Sequence, residues 1–282
     1  MNTKALYGLL IAVLLPIVGY LFMKVRGNNA VVMPRHYIWD SVTTTTKNGK
    51  VYSDTVWHTV PDFRLTNQMG QEVSYNDIYR ITEKGDTQGK VVVANFFFTH
   101  CPNICPPMTR AMKMLQDGIK SNDKVGNREA NFIHFLSFSI DPERDSVKAI
   151  RRWADRFQVN AQEWWLLTGD RKQIYDLSNE HLKMISQGGS VDSEFLHSDR
   201  FVLIDKNRKI RGYYKVLDER NQIDTAAIVR LSQDVVLLEL EKDPNRTFFL
   251  AGKLELLAIV SAVAIILVTL LLTYLKKEKK RV

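Results

Sequence analysis

The stretch that decides the fold runs from Lys90 to Cys105, KVVVANFFFTHCPNIC, where an apolar run leads into a pair of cysteines. The run KVVVANFFF predicts a central strand buried on both faces, as parallel sheets require. Pro106 and Pro107 then predict the start of a helix through MTRAMKMLQDGI, because proline is well tolerated in a first helical turn. Cys101 and Cys105 are therefore expected at a strand-to-helix junction.

Strands and helices alternate on both sides of this junction. Upstream, DFRLTNQMGQEVS predicts a hairpin, and Ser74 is a plausible cap for the short helix after it. Downstream, NFIHFLSFSI and WWLLT predict strands, each followed by a helix, SVKAIRRWADRF and DRKQIYDLSNEHLKM respectively. HSDRFVLIDKNRKIRGYYKV predicts a second hairpin, and Asp224 to Leu240 a final helix. The order predicts an α/β, thioredoxin-like fold, with a central sheet and helices on both faces.

An apolar run lies toward each end of the chain, at residues 5–23 and 255–275. Neither run contains a charged residue, apart from Glu255 at the start of the second. Each is about as long as a bilayer-spanning helix. The sequence KVRGNNAVV after the first run offers no convincing cleavage site, which favours an uncleaved anchor over a signal peptide. The second run is followed by the basic tail 276–282, KKEKKRV, and cationic flanks stay on the cytoplasmic side. We expect two transmembrane helices in the cell inner membrane, with both termini cytoplasmic.

The segment between the two runs is expected to face the periplasm, with a tether over residues 24–58 and a soluble domain over residues 59–245. Lys and Arg number 39 in the whole chain against 31 Asp and Glu, but much of this excess flanks the apolar runs. The exterior segment alone carries a net charge of about +2. The basic balance is therefore a signal of membrane topology, and it excludes a nucleic-acid footprint.

The chain has only two cysteines, Cys101 and Cys105, and their spacing bears on their chemistry. A plain structural disulfide is the alternative, but closing so short a loop stabilises a fold little. Amides and the dipole at a helix start favour a thiolate, which is both the nucleophile and the metal ligand. Residues four apart project from one face of a helical turn, which leaves room to chelate an ion. Soft sulfur ligands select Cu(I), whereas structural zinc needs four ligands.

A third ligand has to come from a histidine elsewhere in the chain. His197 follows the irregular segment SQGGSVDSEF and precedes the second hairpin, beside the cysteine helix in a thioredoxin-like fold. Position favours it without excluding the others. We expect His36 and His58 to lie in or near the tether, and His100 to point away from its neighbour Cys101. His134 is expected to be a hydrogen-bonded core residue, and His181 a solvated residue on a helix.

Two further features have ordinary explanations. Thioethers can bind Cu(I), but core packing is the expected role of Met108, Met112 and Met114 on the helix after the cysteines. The carboxylates of DPERD invite an acid–base role, yet helix capping by Asp145 or Ser146 accounts for them.

The motif FFFTHCPNICPPMT resembles the C-P-x-x-C-P metal loop of the Sco/SenC family of copper chaperones, which take part in cytochrome c oxidase assembly. SIDPERDS, LTGD and HSDRFVLID resemble three further family segments, so the likeness covers roughly Pro61 to Leu240. It implies Cys101, Cys105 and His197 as ligands of a copper ion. The chain departs from many members in having Asn103 and Leu196 where they carry acids, and in its C-terminal apolar run.

This resemblance implies a membrane-anchored copper chaperone, rather than an enzyme with turnover, that helps to insert copper into the CuA centre of cytochrome c oxidase. The implied partners are the membrane, the oxidase subunit that carries CuA, a periplasmic copper donor and a thiol reductant. The residues alone leave open a membrane-bound thiol–disulfide oxidoreductase that uses Cys101 and Cys105 as its redox couple. A peroxide-reducing relative is a further alternative, because DFRLTNQMGQ resembles peroxiredoxin-type domains.

Overall fold

In the computed structural model, residues 18–19 and 32–241 are described, except for 48–49, 82–84, 120–123, 126–127, 130 and 185–198. The predicted spans at 5–23 and 255–275 lie outside the described residues, save for Val18 and Gly19, as does the basic tail 276–282. No helix within the described residues combines the length and the apolar character needed to cross a bilayer. Residues Met33–Glu241 make up one compact unit.

The strands of this unit are β1 (Trp39–Lys47), β2 (Lys50–Trp57), β3 (Arg64–Asn67), β4 (Glu72–Ser74), β5 (Tyr79–Ile81), β6 (Thr87–Gly89), β7 (Val91–Phe97), β8 (Lys124–Val125), β9 (Arg128–Glu129), β10 (Ile133–Ser139), β11 (Trp164–Thr168), β12 (Arg200–Ile204) and β13 (Ile210–Lys215). The α-helices are α1 (Cys105–Gly118), α2 (Val147–Arg156), α3 (Arg171–Asp176) and α4 (Thr225–Leu240). A 3₁₀ turn spans Tyr75–Asp77, and a π-helical turn spans Leu177–His181.

The central sheet has the strand order β13-β12-β7-β10-β11-β3-β4. The three inner strands β7, β10 and β11 run parallel, and antiparallel strands extend the sheet on both sides. Every residue of β7 and β10 is buried, as their largely apolar sequences predict.

Helices cover both faces of the sheet. Val91 and Val93 of β7 point into a core shared with α1, α2 and α4, while Val92 and Ala94 point into a core shared with α3 and the turn after it. This alternation follows from the two-residue period of a strand. The predicted α/β, thioredoxin-like fold is confirmed, as are both predicted hairpins. The helix predicted from Pro106 begins one residue earlier, at Cys105, and the final helix begins at Thr225 with Asp224 as its cap.

The tether region contains a hairpin that the sequence analysis did not predict. β1 pairs with β2 in antiparallel register from Trp39 opposite Trp57 to Lys47 opposite Lys50. The residues between Lys47 and Lys50 are Asn-Gly, which is the strongest short-range signal for a hairpin turn. The threonine run in β1 is compatible with a strand because β-branched side chains suit the pleated surface.

Residues before and after this hairpin bond to the domain body, so this part of the chain does not hang free of it. The amide of Tyr37 donates to the carbonyl of Ile210 in β13 at 3.2 Å. The guanidinium of Arg211 donates to the carbonyl of Pro34 at 2.6 Å. The compact unit accordingly begins near Met33, earlier than the domain start at residue 59 that the sequence suggested.

Candidate metal centre

The cysteines lie where β7 ends and α1 begins. Cys105 is the first residue of α1, and the two prolines after it occupy the first helical turn. The amide of Cys101 donates to the carbonyl of Phe98 at 3.2 Å, which turns the chain after β7. Both cysteines are free thiols, and they are only 6% and 4% exposed. The structure thus brings the two predicted sulfur donors together, reduced, at a helix start.

Hydrogen bonds concentrate negative charge on Cys101. Donation from the Cys105 thiol, opposed by burial and assisted by the backbone amides of Cys105, Asn103 and Ile104, lowers the pKa of Cys101 to about 5. The amide of Cys105 lies 3.4 Å from the Cys101 sulfur. These amides are among those that a helix start leaves without intrahelical partners. Cys101 is therefore a thiolate at neutral pH.

The same hydrogen bond acts on Cys105 in the opposite sense. Donating to Cys101, being buried and facing the Cys101 charge together raise the pKa of Cys105. The pair then holds one proton and one negative charge at neutral pH, as coupled acids commonly do. A soft cation that bound both sulfurs would have to displace a single proton, that of Cys105.

The first turn of α1 is fixed to its neighbouring helix by a short relay. The Thr109 hydroxyl donates to the carbonyl of Cys105 at 2.8 Å, and the indole N–H of Trp153 in α2 donates to that hydroxyl at 3.2 Å. All three residues are buried. Buried, satisfied polar groups of this kind restrict the positions of the atoms that they join, so Cys105 is held in place from behind.

Asp145 braces the loop before the cysteines, a role that the sequence analysis missed. Its side chain is fully buried and accepts hydrogen bonds from the amide of Thr99, at 3.1 Å, and from the Thr99 hydroxyl. It also accepts from the Ser139 hydroxyl at 2.5 Å. The cap of α2 is Ser146 alone, which accepts from the amide of Ala149. The expectation that capping explains DPERD was therefore incomplete, because Asp145 also bonds to Thr99 in the loop before the cysteines.

The structure describes His100 but not His197. His100 is 59% exposed, and its Nδ1 lies 3.1 Å from the Thr99 hydroxyl and 3.8 Å from an Asp145 oxygen. His197 falls within 185–198, outside the described residues, as does Leu196. In the part of the chain that is described, no three His, Cys, Asp or Glu side chains converge as a metal site.

The other four histidines differ in their burial and in the side chains that they contact. His36 stacks on Trp57 with the ring centroids 4.7 Å apart. His134 is buried in β10, and burial followed by the charge of Lys90 lowers its pKa to about 3. It is a core residue as predicted, although its Nε2 has no hydrogen-bond partner among the described residues. His181, expected to be solvated, instead faces His58 with a nitrogen–nitrogen distance of 3.2 Å.

The methionines of α1 divide between core and surface. Met108 and Met112 are 2% and 0% exposed and belong to the core, as predicted. Met114 is 45% exposed, so its predicted packing role is wrong. It lies on the outer side of α1, which alternates buried and exposed positions at helical spacing.

Comparisons with known proteins identify the family that this chain resembles. The SCO1/SenC family model matches residues 53–232, which is more than half of the chain. The SCO1 protein homolog of Bacillus subtilis (strain 168) is 27% identical over 183 residues, or 64% of this chain and 86% of the relative. The mitochondrial SCO2 homolog of Bos taurus is 28% identical over 165 residues, and the match spans 57% of this chain and about half, 56%, of that relative.

A crystal structure of a SCO1/SenC family lipoprotein from Bacillus anthracis str. Ames is 28% identical. It is matched over 65% of this chain and 95% of its own, with a TM-score of 0.49. The family match includes β7, the cysteine loop, α1 and the Asp145 brace. The chain with the reduced cysteine pair at the start of α1 therefore belongs to the SCO1/SenC family.

Proposed function

We propose that this chain is a membrane-anchored copper chaperone that binds a copper ion through Cys101, Cys105 and His197. The observation that carries the proposal is the reduced, buried pair of sulfurs, one of which is a thiolate held by helix-start amides. Thiolates are soft donors that select Cu(I) over most other biological metals. Family membership supports the same conclusion, since Sco proteins from Bradyrhizobium japonicum and yeast carry bound copper in their solved structures.

The acceptor of the copper ion is proposed to be the CuA centre of cytochrome c oxidase. A member of the family, BsSco, is described as one of the Sco family of cytochrome c oxidase assembly proteins. Two sulfurs and one imidazole would leave the ion with few ligands, which favours transfer by ligand exchange. The source would be a periplasmic copper donor, and a thiol reductant would keep Cys101 and Cys105 open.

The anchors are proposed to be the apolar runs at 5–23 and 255–275, with the domain in the periplasm and both termini in the cytoplasm. Their support is the absence of charge in the runs apart from Glu255, and the basic residues that flank them. This arrangement would hold the metal centre close to the membrane in which an oxidase resides.

Copper titration of the reduced full chain in detergent tests the binding step. One equivalent of Cu(I) should bind to the natural protein, and Cys101→Ser combined with Cys105→Ser should abolish this binding. His197→Ala should weaken binding sharply, while the matched change His100→Ala should leave it nearly unchanged. Unaltered copper binding by the double cysteine variant would contradict the proposal. Loss of copper binding with His100→Ala alone would instead make His100 the third ligand.

Delivery is tested separately from binding. Two equivalents of the copper-loaded chain should transfer two Cu(I) ions to a metal-free, soluble CuA domain, and one-electron oxidation by air should then produce the visible absorption of the mixed-valence binuclear centre. Tight binding without transfer would retain the copper site and reject the chaperone role.

A second candidate function is thiol–disulfide exchange. The opposite pKa shifts of Cys101 and Cys105 favour it, because a reactive thiolate paired with a protonated thiol is what such exchange requires. His197→Ala separates the two functions. A reductase should keep its rate of disulfide reduction in that variant, whereas a copper carrier should lose affinity.

A further inference from the structure

A second group of side chains with metal-binding chemistry lies where the β1–β2 hairpin meets the turn after α3. His58 directly follows β2, and His181 ends the π-helical turn. Nε2 of His58 lies 3.2 Å from Nδ1 of His181, whereas the ring centroids are 5.3 Å apart. The ring planes differ by 10°. The two rings therefore meet through their nitrogen edges and not through their faces.

Asp40 determines which ring nitrogen of His58 carries the proton. Its Oδ1 lies 2.7 Å from Nδ1 of His58. A carboxylate only accepts, so the proton of His58 is on Nδ1, and Nε2 presents its lone pair to His181. A carboxylate behind an imidazole is the arrangement by which proteins orient metal-ligating histidines. In the metal-free protein, the Nδ1–H of His181 donates to this lone pair.

The nitrogen separation also suits a shared ion. Imidazole nitrogens lie about 2.0–2.1 Å from a tetrahedral zinc ion, which puts two such nitrogens roughly 3.3 Å apart. The observed 3.2 Å is close to that value. Neutral imidazoles suit zinc, copper and nickel. We propose that His58 and His181 bind a divalent first-row transition-metal ion of the Cu²⁺ or Zn²⁺ type, with Asp40 orienting His58 from behind.

Binding requires a change of tautomer at His181 and a small rotation of both rings, which turns their facing lone pairs toward one ion. Its proton moves from Nδ1 to Nε2, so the ring stays neutral and both facing nitrogens offer lone pairs. A cleft of about 340 Å³ opens beside His181, and its lining includes Asp62, Asp170 and Asp176. Lys172 also lines the cleft and pairs with Asp176 at 2.5 Å. Two carboxylates then remain to favour the approach of a cation.

The described residues supply two ligands here and no cluster of three, so water completes the coordination. The site is also separate from the cysteines. Leu177, which begins the π-helical turn, and Leu182, which follows it, belong to the core on one face of the sheet. Cys101 and Cys105 belong to the core on the other face. An ion at the histidine pair would join the hairpin to the domain body.

Titration of the full chain with Cu²⁺ tests this site in a background of Cys101→Ser and Cys105→Ser, which removes both thiols. Electron paramagnetic resonance should show one tightly bound equivalent with two nitrogen ligands. His58→Gln or His181→Gln should remove that equivalent. Asp40→Ala, which leaves no acceptor for His58 Nδ1–H, should weaken affinity by about 10- to 100-fold, as loss of an orienting partner does at other sites. His197→Ala in the same background should change nothing.

Equal Cu²⁺ binding by the background protein and by both glutamine variants would overturn the proposal, and the pair would then be a hydrogen bond only. Circular dichroism without metal checks that each variant folds. Should either glutamine variant fail to fold, Asp40→Ala decides the question, because the Asp40 side chain is 55% exposed and its loss leaves the core intact. Unchanged affinity in Asp40→Ala would equally reject the proposed site.

Discussion

Cys101 and Cys105 differ in acidity because one hydrogen bond between them lowers the pKa of the acceptor and raises that of the donor. The sequence predicts a somewhat acidic thiol at a helix start, since free amides favour a thiolate. It does not predict which of the two sulfurs carries the charge. That depends on the direction of the amides of Asn103 and Ile104, which the folded loop sets.

We expect Cys105→Ala to raise the pKa of Cys101 above its value of about 5, because the thiol that donates most strongly to it is gone. Cys105→Ser is the matched control, since its hydroxyl still donates. A titration of thiolate ultraviolet absorbance against pH measures both. Equal pKa values of Cys101 in the two variants would mean that the amides alone, and not the Cys105 thiol, set its acidity.

Copper affinity should depend on pH in a way that these shifts determine. Above about pH 6.5 Cys101 is ionised and an ordinary imidazole is neutral, so binding displaces only the proton of Cys105 and affinity should rise about tenfold per pH unit. Between about pH 5 and pH 6.5 the rise should be steeper, because His197 must also lose a proton to bind. Below about pH 5 the dependence should steepen, as Cys101 also protonates. His197→Ala should flatten the profile below the ordinary imidazole pKa of about 6.5. Competition titrations between pH 4 and pH 8 measure it, and a flat profile would contradict a thiolate site.

Asp145→Asn tests the brace behind the metal loop. An asparagine of the same shape leaves at least one of the Thr99 and Ser139 donors unpaired, so we expect a loss of about 1.5–3 kcal/mol in the free energy of unfolding. The control is Asp141→Asn in the same motif, whose carboxylate pairs with the exposed Arg144 and should matter by less than about 1 kcal/mol. Urea unfolding followed by tryptophan fluorescence measures both. Equal losses would assign no special role to Asp145.

At the level of elements, the methionines of α1 show how burial separates packing from metal binding. Met112→Ala should lower the free energy of unfolding by about 2–5 kcal/mol, because it empties a fully buried position. Met114→Ala should have an effect below about 0.5 kcal/mol, because that side chain is exposed. Met112→Leu should leave both stability and copper affinity nearly intact. A large fall in copper affinity with Met112→Leu would instead make its thioether a ligand.

The central strands could be predicted from the sequence because their residues are largely apolar, and a buried strand accommodates such a run. The run that became β7 is apolar at every position except Asn95, and its short length and β-branched valines favour a strand covered on both faces. The β1–β2 hairpin was missed because its threonines and exposed valines show no buried face, although Asn-Gly at its turn was a usable signal. Asp145 could not be placed, since its partners Thr99 and Ser139 come from two different strand ends that only the fold brings together.

At the scale of the whole molecule, the charge composition reflects the ends of the chain, whereas the fold concerns the domain between them. The family match and the described unit account for the soluble domain, whereas the net charge of +8 arises largely at the ends of the chain. Basic residues flank both apolar runs, with five of them in KKEKKRV alone. Charges placed in this way set the orientation of spans and not the chemistry of the domain.

The two runs should make the chain an integral membrane protein with its domain outside the cytoplasm. Alkaline carbonate should fail to extract the full chain from membranes, because each run is about long enough to span the hydrocarbon core. Deleting residues 255–282 should leave it membrane-bound through the first run, and deleting residues 1–23 as well should release it. Protease added to spheroplasts should digest the domain and spare an epitope tag on either terminus. A C-terminal tag that is cleaved from outside would place residues 276–282 in the periplasm, and the second run would then not span the membrane as proposed.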